Sequence, residues 1–333
     1  MAGGFGTVFT PEMIMATFDG KAWSAPSFVP SDSMQIHPAA HVLHYASTCF
    51  EGLKAFKHED GKVAVFRIDQ NVARFAQSSA ALCLPEVDET LLKNMILDVV
   101  SKYKDMIPDA PGSFYIRPTH IGTEAAIGKA AAETQTSMQY VLVSPVGDYF
   151  STGEKALRLL VDDEHMRCAP DHGFIKGGGN YASALKHIYK ARKEYQADQV
   201  LFAPNNDVQE TGAANFMIFD GNDIITKPLD ETFLHGVTRN TVLQLAKDHG
   251  FNVIEKHITV EEMLEHASHE GCEAALSGTA AVLASVGTLI FKGQEYSVGD
   301  GKPGSKVRKL REALNNIQWG KAEDTHNWLT FVK

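Results

Sequence analysis

The stretch "FIKGGGNYASALK", Phe174–Lys186, places one lysine before three glycines, an asparagine and a tyrosine. A run with helical spacing follows, in which Tyr181, Ala184, Leu185, Ile188 and Ala191 make an apolar stripe. Gly-rich turns ahead of helices cradle phosphates, and a lysine there completes the charge. A nucleotide P-loop needs its lysine after the glycines, followed by Ser or Thr. Here Lys176 precedes them and Asn180 follows, so the order excludes that loop. Three consecutive glycines cost backbone entropy. A bare turn and a close approach of ligand or packed surface both remain open, and Lys176 is a phosphate clamp, a surface charge or a nucleophile.

The rest of the chain narrows the choice. It has 333 residues, enough for two domains or one large α/β domain. The net charge of −10 gives no basic face for general nucleic-acid binding. There is no apolar run of about 18 residues, so no membrane span is expected. The N-terminal "MAGGFGTVFTPEMIM" has neither the basic region and apolar stretch of a signal peptide nor the arginines of a transit peptide. Cys49, Cys83, Cys168 and Cys272 are far apart, without a C-x-x-C pair. A disulfide framework and a zinc ribbon are not expected, and a reducing cytoplasm fits.

The patterning is mixed α/β, or α+β, without the regular strand–helix alternation of a doubly wound fold. "MIMATFDGKAW" predicts a strand, an Asp19-Gly20 turn and a return strand. "HPAAHVLHYAST" predicts a short helix, and the next segment a hairpin turning near Asp60-Gly61. Asp69 is the expected cap of the helix "QNVARFAQSSAALCL", and "SFYIRPTHIG" and "MQYVLVSPVG" read as strands. Gly147, Ser151 and Gly153 break the pattern, which sets a boundary between a small N-terminal domain, 1–149, and a larger C-terminal domain, 150–333. Beyond it "LRLLVDD" reads as a strand, and "DQVLFAP", "NNDVQET" and "NFMIFDGNDIITK" read as antiparallel strands. A helix from Thr238 to His249 stops at Gly250, and Thr259 with Glu262 forms a capping box. "SKVRKLREALNNIQ" is the last helix.

His37, His41 and His44 fall on one helical face, but no carboxylate pattern accompanies them, so packing roles are expected rather than a metal. "HASH", with His266 and His269, reads as an exposed helix face. "SGTAA", Ser277–Ala281, lacks the nucleophile-elbow pattern. Its Gly278 and Thr279 suit a turn offering N–H groups and a hydroxyl to an anion. "LHGVTRN", Leu234–Asn240, has the same character and leads into a helix. Glu210, in "VQETGAANF", adds a carboxylate. Lysine, N–H-rich turns and carboxylate together are the parts that pyridoxal 5′-phosphate requires. Its aldehyde needs an amine for a Schiff base, its phosphate needs N–H donors and a cation, and its ring nitrogen needs an acid partner.

The chain resembles the class IV aminotransferases, which are fold type IV pyridoxal-phosphate enzymes, and within them the branched-chain amino-acid aminotransferases. "FEGLKAF", "FRIDQNVARF", "FYIRPTHIG", "PVGDYF", "KGGGNYASAL", "QETGAANFMIF", "LHGVTRN" and "SGTAA" occur in the family's order, nearly end to end. The resemblance implies two α/β domains with the cofactor at their interface. It also implies a homodimer and reversible ping-pong transfer between L-leucine, L-isoleucine or L-valine and 2-oxoglutarate. The same fold also serves D-amino-acid aminotransferases and aminodeoxychorismate lyases.

By that resemblance Lys176 is the cofactor-linked lysine and proton carrier. Glu210 pairs with the ring nitrogen, and Tyr181 bonds the ring oxygen. Arg74 grips the phosphate, as do the turns at Gly236, Val237 and Thr238 and at Gly278 and Thr279, Val237 through its N–H. Tyr45, Phe50 and Tyr149, with Tyr181, resemble the aromatic substrate pocket, in which Gly52 and Ala280 leave space. Tyr115 and Arg117 resemble the pair that accepts the distal carboxylate of glutamate. Ala46 stands where relatives carry glycine, and "SGTAAVLASVG" lacks the redox-active C-x-x-C of some members. In this reading the glycine run makes a sharp turn between a strand carrying Lys176 and the helix carrying Tyr181.

Overall fold

The computed structural model describes residues 5–150 and 153–333; Ser151, used above to place the boundary, lies outside them. Packing divides the chain into two units. The first comprises the described part of Met1–Tyr149 with Ile175–Gly179 and Asn316–Lys333; the second comprises Phe150–Phe174 and Asn180–Asn315. The Lys176 segment therefore belongs with the first unit, not with the C-terminal residues around it in sequence.

In the first unit the chain runs through β1 (Glu12–Phe18), β2 (Ser27–Pro30), α1 (His41–Tyr45), β3 (Thr48–Phe50), β4 (Leu53–Lys57) and β5 (Val63–Phe66). Next come α2 (Ile68–Ala81), α3 (Glu89–Lys102), β6 (Ser113–Gly122) and β7 (Ser137–Val146). The antiparallel sheet runs Leu329–Phe331, β5, β4, β6, β7, β1, β2, with β3 also on β6. Alternation assigns its faces. Phe114 and Ile116 of β6 and Val141 and Val143 of β7 pack with Val72 and Phe75 of α2 and Leu92, Met95 and Ile96 of α3. Tyr115, Arg117 and Thr119 therefore fall on the face opposite this core. Gly61 at φ +81° makes the expected hairpin turn. Asp69 is not the cap of α2: the helix starts at Ile68 after Arg67, whose backbone is left-handed, and Asp69 lies in the first turn.

The second unit holds β8 (Leu157–Asp162), most of α4 (Gly178–Tyr195), β9 (Gln199–Phe202), β10 (Asn215–Asp220), β11 (Asp223–Thr226) and α5 (Val237–Asp248). It continues with β12 (Asn252–Glu255), α6 (Val260–Ser268), β13 (Glu273–Gly278), β14 (Val282–Phe291), β15 (Gln294–Ser297) and most of α7 (Ser305–Gln318). Its sheet runs β12, β11, β10, β13, β14, β8, β9, with β15 on β14. β9 pairs with β8 in parallel at the sheet edge and does not lie beside β10, so the expected antiparallel run from "DQVLFAP" into "NFMIFDGNDIITK" is not formed. The α4 crossover is long enough to bring the chain back in the same direction. The Thr259–Glu262 capping box is present, and α5 ends before Gly250 at φ +81°.

Three local expectations fail. "NNDVQET" is not a strand; Pro204–Asn206 is a 3₁₀ turn, and Glu210 makes only a single bridge to Asn215. Leu185 is 63% exposed, and the buried face of α4 is Asn180, Ala184 and Ala191. Lys176 is on no strand: α4 begins at Gly178, so the last two glycines form its first turn. None of the three has the positive φ of a left-handed turn. Close approach explains the run better, because a Cβ at Gly178 would lie 3.0 Å from Thr48 Cγ2, while Gly179 faces open space.

Candidate active site

In the first unit the candidate residues gather around Lys176. Its N–H donates to Ser78 Oγ at 3.0 Å, and its carbonyl accepts the Phe50 N–H at 3.1 Å. Gly177 bridges to Cys49 on β3. The Lys176 backbone is held on both sides. Its Nζ lies 5.1 Å from the Phe50 ring centre, and the Arg117 guanidinium lies 4.5 Å from the same ring. One aromatic surface thus carries two cations, a cation–π arrangement that orients both.

Arg117 Nη2 donates to Tyr115 Oη at 2.7 Å. Gly52 makes room for this pair: a Cβ there would sit 2.2 Å from Tyr115 Oη. Phe50, Gly52, Tyr115, Arg117 and Lys176 therefore form one cluster. Tyr45 stands apart in another setting; its hydroxyl donates to the Ile127 carbonyl and its ring tilts against His41, 4.8 Å between centres. His41 is buried on Ser47, its Nδ1 2.9 Å from Oγ, and His37 precedes the helix altogether. Tyr149 is 53% exposed at the end of the first unit.

Arg74 meets a partner the sequence reading did not name. Its Nε and Nη2 lie 2.7 and 2.9 Å from the two carboxylate oxygens of Glu51. Both side chains are buried, and the bidentate geometry compensates for lost solvation. Glu51 sits inside "FEGLKAF", a motif read for its neighbours Phe50 and Gly52; a buried acid two residues from a strand edge has no periodic signature.

The second unit carries its own polar cluster. Glu210 is 2% exposed and accepts from Leu234 N–H at 2.8 Å and Asn215 Nδ2 at 3.0 Å. Arg167 Nε approaches its Oε1 at 2.9 Å, so this buried carboxylate carries its own counter-ion. Arg167 also donates to the Gly173 carbonyl at 2.7 Å. It lies in an irregular loop and shows no spacing that a sequence reading could catch. Asn215 donates in addition to the Leu234 carbonyl at 2.8 Å. Glu210 and the loop entering α5 are thereby tied together.

Gly236 begins α5 and brings no capping side chain to its first turn, where Val237 and Thr238 lie. Gly236 is required where it is: a Cβ would lie 2.0 Å from Asn215 Oδ1. β13 ends at Gly278, and Ser277 pairs with Asn215 across the sheet. The Gly278–Thr279–Ala280 turn therefore leaves the sheet beside the Glu210 loop, with Gly278 against Ala213 and Ala214. Tyr181 is half-buried on α4.

The model of the amino-transferase class IV family matches residues 48–288, most of the chain and every cluster just described except that of the first helix. The chain belongs to the class IV aminotransferases. This aminotransferase is 37% identical over 336 residues to branched-chain-amino-acid aminotransferase 2 of Bacillus subtilis (strain 168), covering 98% of this chain and 92% of that one. It is 35% identical to the cytosolic branched-chain-amino-acid aminotransferase of Saccharomyces cerevisiae, covering 98% and 91%. Its fold matches the branched-chain amino acid aminotransferase of Thermobaculum terrenum in its PLP-form at a TM-score of 0.79, with 20% identity and 97% and 98% of the chains covered. The Escherichia coli branched-chain amino acid aminotransferase matches at 0.78, 24% identical, covering 92% and 97%.

Membership carries pyridoxal 5′-phosphate as cofactor, and the residues present fit it. A buried carboxylate paired with Arg167 suits a protonated ring nitrogen. An uncapped helix N-terminus beside it suits a phosphate. No helix among the described residues is long and apolar enough to cross a membrane.

Proposed function

We propose that this enzyme is a branched-chain amino-acid aminotransferase, moving the amino group between L-leucine, L-isoleucine or L-valine and 2-oxoglutarate. The observation that carries the reading is the Phe50 ring with both Lys176 and Arg117 over it. An aliphatic side chain packs on that ring, and the distal carboxylate of glutamate meets Arg117 and Tyr115 in the same space. One pocket thereby serves both half-reactions. Discrimination among the three aliphatic substrates is slight, because one methylene is worth only about 1–3 kcal/mol in such a pocket. The names of the 35–37% identical relatives support the same substrate class.

When bound, pyridoxal 5′-phosphate withdraws electrons from the substrate α-carbon. Lys176 Nζ holds the cofactor and then carries the proton to and from that carbon. Glu210 keeps a proton on the ring nitrogen, with Arg167 and Asn215 holding its carboxylate in place. Val237, Thr238 and Thr279 donate to the phosphate, joined by Arg74, whose geometry Glu51 sets. Tyr181 donates to the ring oxygen. Gly52 and Ala280 leave room for substrate, and Tyr45 and Tyr149 add aromatic walls.

A homodimer and a cytoplasmic location complete the proposal. Leu43 at 58% and Ile127 at 66% exposure flank Tyr45 and support a covered face there. Initial rates with L-leucine, L-isoleucine, L-valine, D-alanine and aminodeoxychorismate test the function. The reading requires the first three to turn over with 2-oxoglutarate. Turnover of D-alanine or aminodeoxychorismate instead contradicts it.

A further inference from the structure

His266 and His269 do not form an exposed helix face. α6 ends at Ser268, and both imidazoles turn back onto Asp220, the last residue of β10. Their Nδ1 atoms lie 2.7 and 2.8 Å from the same oxygen, Asp220 Oδ2. All three donor atoms fall within 4.8 Å of one another. The rings stand 5.7 Å apart at 76°, so they approach the oxygen from different directions.

We propose that Asp220, His266 and His269 bind a divalent first-row transition-metal ion of the zinc class. Two imidazole nitrogens and one carboxylate oxygen are the donor set such ions prefer over calcium or magnesium. Metal–ligand bonds of about 2.0–2.2 Å separate tetrahedral donors by roughly 3.4 Å. The two nitrogens, at 2.7 and 2.8 Å from Asp220 Oδ2, move away from it by about 0.6–0.7 Å to reach that spacing, which rotation of side chains at a helix end and a strand end supplies. On binding, the ion takes the place of protons on the Nδ1 atoms. The Asp220 and His266 side chains are 22% exposed and that of His269 46%, so solvent reaches the site. Three protein ligands leave a position for water.

The ion would clip the end of α6 to the end of β10. Asp220 is five residues from Asn215, about 17 Å along the strand, so the clip touches none of the Glu210 machinery. A second cluster, Asp162, His165 and His187, has the same composition, but its carboxylate already accepts the backbone N–H groups of Glu164 and His165 at 3.1 and 3.0 Å. It serves as the internal control.

The test uses the cofactor-loaded enzyme stripped of metal, titrated with zinc chloride by calorimetry and by thermal melting. The expected result is about one ion per chain and a saturable rise in Tm. His269→Gln should weaken binding about tenfold or more, since even outer-shell partners cost that much. His165→Gln should leave binding unchanged, and His269→Gln should retain wild-type transamination and metal-free Tm. Absence of saturable zinc binding overturns the proposal. So does binding that persists in His269→Gln or disappears in His165→Gln.

Discussion

The hydroxyl of Ser78 accepts the backbone N–H of Lys176 at 3.0 Å. Ser78 is one helical turn from Arg74 on α2, so one face of one helix carries both the lysine's anchor and the arginine gripped by Glu51. Ser78 is 1% exposed, and Ser78→Ala leaves a buried N–H without its acceptor. The expected cost is about 1–3 kcal/mol of stability. Cofactor affinity and kcat should fall with it, and Ser78→Thr should recover both. Thermal melting and cofactor titration of the two variants check this; full affinity in Ser78→Ala would remove Ser78 from the account.

Gly52→Ala puts a methyl 2.2 Å from Tyr115 Oη and pushes that phenol off Arg117. Losing one charge-assisted bond corresponds to about 1.5–3 kcal/mol, or roughly 10–100-fold in KM for 2-oxoglutarate. KM for L-leucine should change far less, because the aliphatic side chain needs no cation. Equal changes for both substrates would contradict the assignment of Tyr115 and Arg117.

Glu210→Gln keeps the side-chain shape but leaves Arg167 buried without a counter-charge. Breaking a buried pair costs about 3–5 kcal/mol, which melting should register. The ring nitrogen loses its acid partner as well, so kcat should drop more than about tenfold. Arg167→Met should also lower cofactor affinity, although Arg167 is not itself expected to touch the cofactor.

His120 gives a pH prediction. It is fully buried, its Nδ1 3.0 Å from Ser79 Oγ and its Nε2 2.9 Å from Ser137 Oγ. Burial pushes its pKa from 6.5 down to about 3. Below 6.5 the unfolded chain takes up a proton that the folded imidazole refuses until near 3. The unfolded state then binds more protons, so stability falls as pH drops through this window and is fully present above 6.5. Urea unfolding at pH values between about 4.5 and 7 should show a steeper loss in the wild type than in His120→Gln. Parallel curves would refute it.

Much of the fold was legible because periodicity and punctuation carry it. β6 and α7 fall where "SFYIRPTHIG" and "SKVRKLREALNNIQ" put them, and Thr259 with Glu262 caps α6 as its spacing predicts. What escaped depends on distant neighbours. Arg167, Asn215 and Ser78 act through partners 43, 5 and 98 residues away, and only folding brings the first and last of these pairs together. Glu51 was hidden for a similar reason, its arginine lying on a separate helix. "DQVLFAP" was read as antiparallel to the strands that follow it because a strand's sequence does not record its neighbour, which is β8. The shared partner of the HASH histidines escaped notice because Asp220 is remote in sequence.

The claim on which the rest depends is that Lys176 holds the cofactor. Borohydride reduction of the loaded enzyme, followed by peptide mass mapping, tests it directly. The account predicts the phosphopyridoxyl mass on the peptide containing Lys176, and no labelled peptide in Lys176→Ala. Labelling of another lysine, with transamination intact in Lys176→Ala, would contradict it.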